Sequence, residues 1–471
     1  MLATFFVAQL KTVDFFKFHR YNRAHSVAKK ILKVFFMREK IKTIKINKTE
    51  EVAKINPNTV HCVYLGDDCV HFRAYALEND NIVCYEVSDE LEREIAHEKL
   101  SEIFSLYPYE YHYLGMGHNV RMREEYYKPF KRRIKNAKFF GYRESYEILF
   151  DLMKNKNFDL TDEEFADITK AVVLGHAVGD ALGVPVEFKS RKLLDKYPVE
   201  DMGKHPTVDL PKGSWSDDTS MSLCALKSLA KGKIDFDDIM QNFAKWYYDS
   251  EFTPTGYTFD IGLICMDAIK RYKRGVEPIK CGGTNEYDNG NGSLMRIHPF
   301  ALYLYRKDMP IKEKIDIIHK ASCLTHAHRR SQIGCGIYSF VLWGILEENH
   351  ISGAVSGLID ALKFYSNEPE INHYIERLDN FENKKREDIK SSGYVVDTLE
   401  AALWCLFNTN SYKDCVLLAV NLGDDTDTVG AVAGSLAGAL YGYSELPCSW
   451  LNNLVKKEEI EKMCLDFAKI L

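Results

Sequence analysis

Two runs of glycine at every fourth position constrain this chain more than any other feature. Gly175, Gly179 and Gly183 form the first, and Gly430, Gly434, Gly438 and Gly442 the second. Residues i and i+4 share one face of an α-helix, so each run makes a smooth stripe. Glycine inside a helix costs up to about 1 kcal/mol relative to alanine. A row of them needs a compensation, and close approach of two helices supplies one. Pro185 should end the first helix and leave Glu187 just beyond it. From about residue 165 onward the texture is helix after helix with small-residue faces, and strand-like alternation nearly disappears. The expected fold class is mainly α.

Acids stand at one end of each glycine helix. Gly423-Asp424-Asp425-Thr426-Asp427-Thr428 leads into the second stripe, and Ser216-Asp217-Asp218-Thr219 heads another helix-like segment. Ser and Asp at a helix start can simply cap it or complement its dipole. Capping explains one such header better than Asp-Asp-Thr twice with Asp427 added. If Glu187, Asp217, Asp218, Asp425 and Asp427 converge, their charges cannot all persist without cations. Oxygen-only donors, with Ser216 and Thr428 adding hydroxyls, favour Mg²⁺ or Mn²⁺ over zinc. Two divalent ions would nearly balance the five charges.

Two further segments carry chemistry. Asp288-Asn289-Gly290-Asn291-Gly292-Ser293-Leu294-Met295-Arg296 is a glycine-rich turn running into an apolar stretch. It suits backbone N–H contacts with phosphate, or serves as an ordinary loop. Thr325-His326-Ala327-His328-Arg329-Arg330 offers a histidine pair for a metal, a substrate contact by His326, or an idle helix start. Beside an oxygen-rich site, substrate contact is the preferred reading. Leu65-Gly66-Asp67-Asp68 repeats Leu422–Asp425 but lacks the Thr-Asp-Thr and the ladder, so it reads as a hairpin turn.

The first 155 residues differ. At 471 residues the chain has room for two to three domains of roughly 150 residues each. Val60–Leu65 and Val70–Tyr75 are strand candidates, while 88–105 and 119–155 read as helices. Lys154-Asn155-Lys156-Asn157 is a plausible linker, and Asp159–Glu164 a capped helix start. The expected division is therefore 1–155, a smaller α+β domain, and 160–471. Residues 1–48 hold twelve Lys/Arg against two acids in a chain whose net charge is −6, and a second basic cluster spans Lys128 to Lys138. An anionic partner and a solvated amphipathic helix both fit, but no nucleic-acid module accompanies the charge. The polar stretch 366–392 reads as an exposed helix-loop. No run reaches the roughly 18 apolar residues of a membrane span. The N-terminus is a poor secretory signal, and twelve scattered cysteines without a C-x-x-C pair look like reduced, buried thiols. A cytoplasmic protein is expected.

Taken together, the helical segments resemble the ADP-ribosylglycohydrolase family, including its dinitrogenase-reductase-activating type. The resemblance covers about residues 165–445 in the family's motif order. It rests on Gly179-Asp180-Ala181-Leu182-Gly183 with Glu187, Ser216–Thr219, Gly290–Arg296, Thr325-His326 and Gly423–Thr428. It implies a compact all-α domain with a two-metal centre of Mg²⁺ or Mn²⁺. The implied ligands are Ser216, Asp217, Asp218, Asp425, Asp427 and Thr428, with Glu187 beside the metals. Ser216 stands where many relatives carry Thr, which keeps the hydroxyl.

The implied reaction is hydrolysis at the anomeric carbon of the distal ribose of an ADP-ribosyl group. Glu187, Asp218 and Asp427 are the expected catalytic carboxylates, with Glu187 or Asp218 moving the proton. Asn291, Gly292, Ser293 and His326 are expected on the diphosphate and adenosine side. The acceptor stays open. Other readings are an immunity factor that blocks an ADP-ribosylating toxin through residues 1–155, a non-hydrolytic ADP-ribose-binding protein, and a two-metal phosphohydrolase. The intact acid set disfavours the second, and the ladder context the third.

Overall fold

The computed structural model describes the backbone of six strands between residues 42 and 142, and residues 160–379 and 384–471 in full. The chain contains two compact units, one over Leu32–Asn157 and one running from Phe158 to Leu471.

In the first unit, β1 (Lys42–Ile46), β2 (Val60–Val63), β3 (Arg73–Glu78), β4 (Asn81–Val87), β5 (Glu110–Tyr113) and β6 (Lys138–Tyr142) form one mixed sheet in the order β1-β4-β3-β2-β5-β6. The expected strand pair is present as β2 and β3, antiparallel, with the second starting later than expected, at Arg73. Gly66–Asp68, the basic clusters outside β1 and β6, and residues 88–105 lie outside the described residues. The reading of 119–155 as helix is corrected at Lys138–Tyr142, which is β6, paired in parallel with β5. Its sequence Lys-Phe-Phe-Gly-Tyr is aromatic-rich, and aromatic side chains suit a pleated strand better than a helix surface.

The described residues of the second unit form helices joined by loops, with no strand among them. In chain order its helices are α1 (Asp162–Gly183), α2 (Arg191–Lys196), α3 (Asp217–Leu229), α4 (Phe236–Asp249), α5 (Leu263–Lys273), α6 (His298–Tyr305), α7 (Ile311–Cys323) and α8 (Arg329–Glu348). They continue with α9 (Ile351–Phe364), α10 (Ile371–Leu378), α11 (Val395–Phe407), α12 (Tyr412–Val420), α13 (Thr426–Tyr441), α14 (Cys448–Asn453) and α15 (Lys457–Ala468). Among the described residues no helix is long and apolar enough to cross a membrane.

Helix α1 begins with a capping box. The Thr161 hydroxyl accepts from the Glu164 backbone N–H at 3.2 Å, and the Glu164 carboxylate accepts from the Thr161 N–H at 2.9 Å. From Ala171 to Gly183 every residue of α1 is buried, and so is α13 from Thr426 to Ala439. These two helices run antiparallel along their glycine stripes. A Cβ on Gly179 would stand 2.1 Å from the Gly430 carbonyl oxygen, and one on Gly434 2.3 Å from that of Gly175. No side chain fits that seam without forcing the helices apart. Gly442 lies outside it and ends α13.

Because the pair is antiparallel, the C-terminus of α1 meets the N-terminus of α13, and Gly183 packs on the Asp427 backbone. The 366–392 stretch, expected to be solvated, is tied into the body instead. Arg377 pairs with Asp397 at 2.6 Å and Glu400 at 3.3 Å, and Arg386 with Asp195 at 2.6 Å.

Candidate active site

Asp180 brings a third helix to the junction of α1 and α13. Its carboxylate is fully buried and accepts from the Ser216 N–H at 2.9 Å, the Thr219 N–H at 3.1 Å and the Thr219 hydroxyl at 2.6 Å. The first turn of α3 is thereby pinned against α1. Burial pushes the Asp180 carboxyl up to about 6, against the pull of these hydrogen bonds.

Capping does not account for the other acids. Ser216 caps α3 itself, its Oγ accepting from the Asp218 N–H at 3.3 Å. Asp217 and Asp218 are therefore not needed as caps. Asp425 holds the N-cap position of α13 but makes no side-chain cap bond. Its Oδ2 instead accepts from the Asn291 amide at 2.8 Å.

These acids converge on one cleft of about 350 Å³. It is lined by Glu187, Asp217, Asp218, Asp260, Asp425 and Asp427, with Thr428, the Gly290–Gly292 turn, His326 and Gly393. Carboxylate oxygens of Glu187, Asp260 and Asp427 lie within 4.8 Å of one another. Asp218 Oδ1 and Asp427 Oδ1 are buried and have no hydrogen-bond partner. The Ser216 and Thr428 hydroxyls both lean on Asp218 Oδ2, at 3.3 and 3.4 Å.

Crowding shows in the proton affinities. Burial first, then the neighbouring Asp260 and Asp425, push Glu187 up to about 9. Asp217, Asp218 and Asp427 are driven well above the usual carboxylate range by burial first and then by neighbouring carboxylates, Asp260 and Asp425 acting on all three. Asp425 is also raised by burial, but Asn291 opposes the shift. A set of oxygen donors with orphaned buried oxygens and no neutralising base fits hard divalent cations.

Asp260 is absent from the sequence-based set. It lies in the loop before α5, at φ 52°, with a carboxylate oxygen within 4.8 Å of those of Glu187 and Asp427. An acid bracketed by Phe259 and Ile261 in a loop is the only sequence signal for it. One expected substrate contact, Ser293, lies away from the cleft, while Asn291 lines it with its amide nitrogen bonded to protein. The Asn291 side chain is spent on Asp425 and on Thr398, at 2.9 Å. The Ser293 hydroxyl does not reach the cleft: it is fully buried and bonded to Ser322 and Cys335. Gly292 and His326 do line the cleft. His328 is the N-cap of α8, its Nδ1 accepting from the Arg330 N–H at 3.2 Å.

A sequence profile of the ADP-ribosylglycohydrolases matches residues 161–471, which takes in all of these acids. The chain belongs to the ADP-ribosylglycohydrolase family. It is accordingly a glycosidic-bond hydrolase. ADP-ribosylarginine hydrolase Tri1 of Serratia proteamaculans (strain 568) is 34% identical over 306 residues, 64% of this chain and 80% of that protein. The ADP-ribosyl-dinitrogen reductase glycohydrolase of Rhodospirillum rubrum is 33% identical over 305 residues, 64% of this chain and 95% of its own length. A solved structure, an ADP-ribosylglycohydrolase-related protein complex, superposes with a TM-score of 0.54 at 30% identity, over 65% of this chain and 99% of that one. The all-α architecture of the second unit is therefore the ADP-ribosylglycohydrolase fold.

Proposed function

We propose that this cleft removes ADP-ribose from an ADP-ribosylated protein by cleaving the bond at the anomeric carbon of the distal ribose, with two divalent cations held by Ser216, Asp217, Asp218, Asp425, Asp427 and Thr428. The observation that carries the reading is the convergence of six carboxylates, two of them with orphaned buried oxygens, on one cleft. When bound, Mg²⁺ or Mn²⁺ would orient the ribose hydroxyls and polarise or supply a water.

The remaining roles belong to the chain's own groups. Asp180 and Asn291 hold the acids in place, one through the start of α3 and the other through Asp425. Glu187 is half-buried at the cleft beside the Asp260 carboxylate and holds its proton tightly, a setting that suits a group moving a proton between water and the leaving group. Asp218 is the alternative for that role. The carboxylates stabilise positive charge developing on the ribose. The Gly290–Gly292 backbone and His326 take the diphosphate and adenosine side.

Arginine is the acceptor we infer. A relative named as an ADP-ribosylarginine hydrolase supports it. The described cysteines are all free, in keeping with a reducing, cytoplasmic setting.

The test is product analysis on an ADP-ribosylarginine-bearing protein. Free ADP-ribose should appear, vanish in excess chelator and return with Mg²⁺ or Mn²⁺ but not zinc. Full activity in chelator, or release of phosphate or a nucleotide monophosphate, overturns the proposal.

A further inference from the structure

Arg296 is a fully buried guanidinium, and among the described residues no carboxylate pairs with it. It stacks over the Phe243 ring at 4.8 Å. Its Nε and Nη1 have no partner. Its Nη2 donates to the Ala321 carbonyl at 3.3 Å and, more closely, to Thr325 Oγ1 at 2.7 Å. Leaving an arginine buried in this way is costly, so its one short side-chain contact calls for a role.

Thr325 Oγ1 also lies 2.9 Å from His326 Nδ1. Arginine only donates, so the Thr325 oxygen must accept from Arg296, and its own proton is free for another acceptor. Two acceptors adjoin it: imidazole Nδ1 and the Cys265 sulfur. The Thr325 oxygen has two lone pairs and could accept from Arg296 and from an Nδ1–H together, but that arrangement would leave its own proton only the thiol sulfur, a weak acceptor. The hydroxyl proton therefore goes to Nδ1. The histidine's own proton is then on Nε2, since the tautomer is set by the bond made at the other nitrogen.

The Cε1–Nε2 edge of the ring stands close to the glycine turn. A Cβ on Gly292 would stand 2.8 Å from His326 Cε1, and one on Gly290 3.3 Å from Nε2. His326 lines the cleft, and among the described residues its one ring-nitrogen hydrogen bond is the contact at Nδ1. Burial, and Arg296 after it, hold the ring's proton affinity down to about 3, so it is neutral.

We propose that Arg296 and Thr325 are positioning residues that fix His326 as the neutral tautomer protonated on Nε2, so that the cleft presents one N–H donor to an oxygen of the ADP-ribosyl group. This deepens the functional reading above and rests on it for the identity of the ligand. The chain Arg296 → Thr325 → His326 → ligand runs donor to acceptor at every link. Among the described residues Thr325 is the one side chain that Arg296 hydrogen-bonds, which gives this buried cation a role.

The experiment is ¹⁵N spectroscopy of the full-length protein with labelled histidine, in Mg²⁺ buffer at neutral pH, with His326 assigned by loss of its signals in His326→Gln. His326 should show an unprotonated Nδ1 and a proton-bearing Nε2. Thr325→Val should abolish that pattern and weaken free ADP-ribose, measured by calorimetry, about tenfold, the scale of one hydrogen bond. Thr325→Ser should restore both. A proton on Nδ1 in the unmodified protein overturns the proposal even if the valine variant does not fold, and so does a tautomer unchanged in Thr325→Val. A correct tautomer in a protein that does not bind ADP-ribose leaves the relay standing and overturns the functional reading instead.

Discussion

Replacing Asp427 with Asn separates two explanations of the acids at the start of α13 by the sign of the stability change. If Asp427 only complements the helix dipole, the substitution removes a favourable anion from the first turn and costs about 0.3–1 kcal/mol. If it belongs to a cation site, metal-free protein should gain. Its carboxylate lies within 4.8 Å of those of Glu187 and Asp260. A like-charge pair at that distance costs about 3 kcal/mol at an effective dielectric constant near 20. Part of this is already relieved by proton uptake, since Glu187 is pushed up to about 9. A net gain of about 1–3 kcal/mol is left, a rise in Tm of roughly 2–6 °C for a body of this size.

The assay is thermal unfolding of full-length protein in chelator, repeated across a Mg²⁺ titration, beside turnover of an ADP-ribosylarginine substrate. The variant should melt higher than the parent in chelator, gain less from Mg²⁺, and turn over slower by orders of magnitude. Asp67→Asn, in the Leu-Gly-Asp-Asp segment outside the described residues, should leave hydrolysis unchanged. A lower Tm in chelator, together with near-normal turnover and metal affinity, would refute the reasoning and return Asp425–Thr428 to an ordinary helix start.

Gly179→Ala should destabilise by at least about 2 kcal/mol despite alanine's better helix propensity, because its Cβ would meet the Gly430 carbonyl at 2.1 Å; Gly262→Ala, with open space and φ −60°, is the control, and equal effects in chemical denaturation would contradict the seam. Metal-free protein should lose stability as pH rises from 7 to 9. Glu187 keeps in the folded state a proton that the unfolded chain has already released, so removing that proton works against folding. Saturating Mg²⁺ should flatten the slope, and denaturation curves that rise with pH would sink the idea. Below about pH 6 the buried neutral histidines, His176 held down to about 4 and His326 to about 3, act in the opposite sense. A chain lacking residues 1–155 should fold and hydrolyse a small ADP-ribosyl substrate; if it is insoluble while the full chain works, the proposed boundary is wrong.

What the sequence made legible follows helix geometry. The glycine runs read directly as a seam because i, i+4 spacing fixes which face a residue occupies, whatever surrounds the helix. The seam raised the meeting of helix ends as a condition for the acids to converge; that the ends meet and Glu187 approaches Asp427 is shown by the fold. Asp217 and Asp218 were legible because Asp-Asp-Thr recurs at 217–219 and 424–426, each time heading a helix, which capping alone explains poorly. The same logic fails for short strands. Lys138–Tyr142 lay within a basic stretch taken for helix, and five residues carry too little periodicity to overrule that context.

The site's remaining parts sit where spacing has no geometric meaning. In the 288–296 turn, consecutive residues point in unrelated directions. Asn291 thus reaches across to Asp425 and Thr398, while Ser293, two residues on, is turned into the core against Ser322 and Cys335. A motif-level reading could say that this turn belongs to the cleft, but not which side chains face it. Asp260 is the sharper case, because the loop holding it takes positive φ at Ser250, Phe252 and Asp260, and no periodic pattern survives such a path. Its carboxylate nevertheless stands among those of Glu187 and Asp427. The acids carried by helices could be inferred from the chain; the acid carried by a loop needed the fold. Arg296 belongs with it. Its motif marks it as part of the turn, but only the packed structure shows a cation whose one short side-chain bond leads through Thr325 to a histidine on the cleft wall.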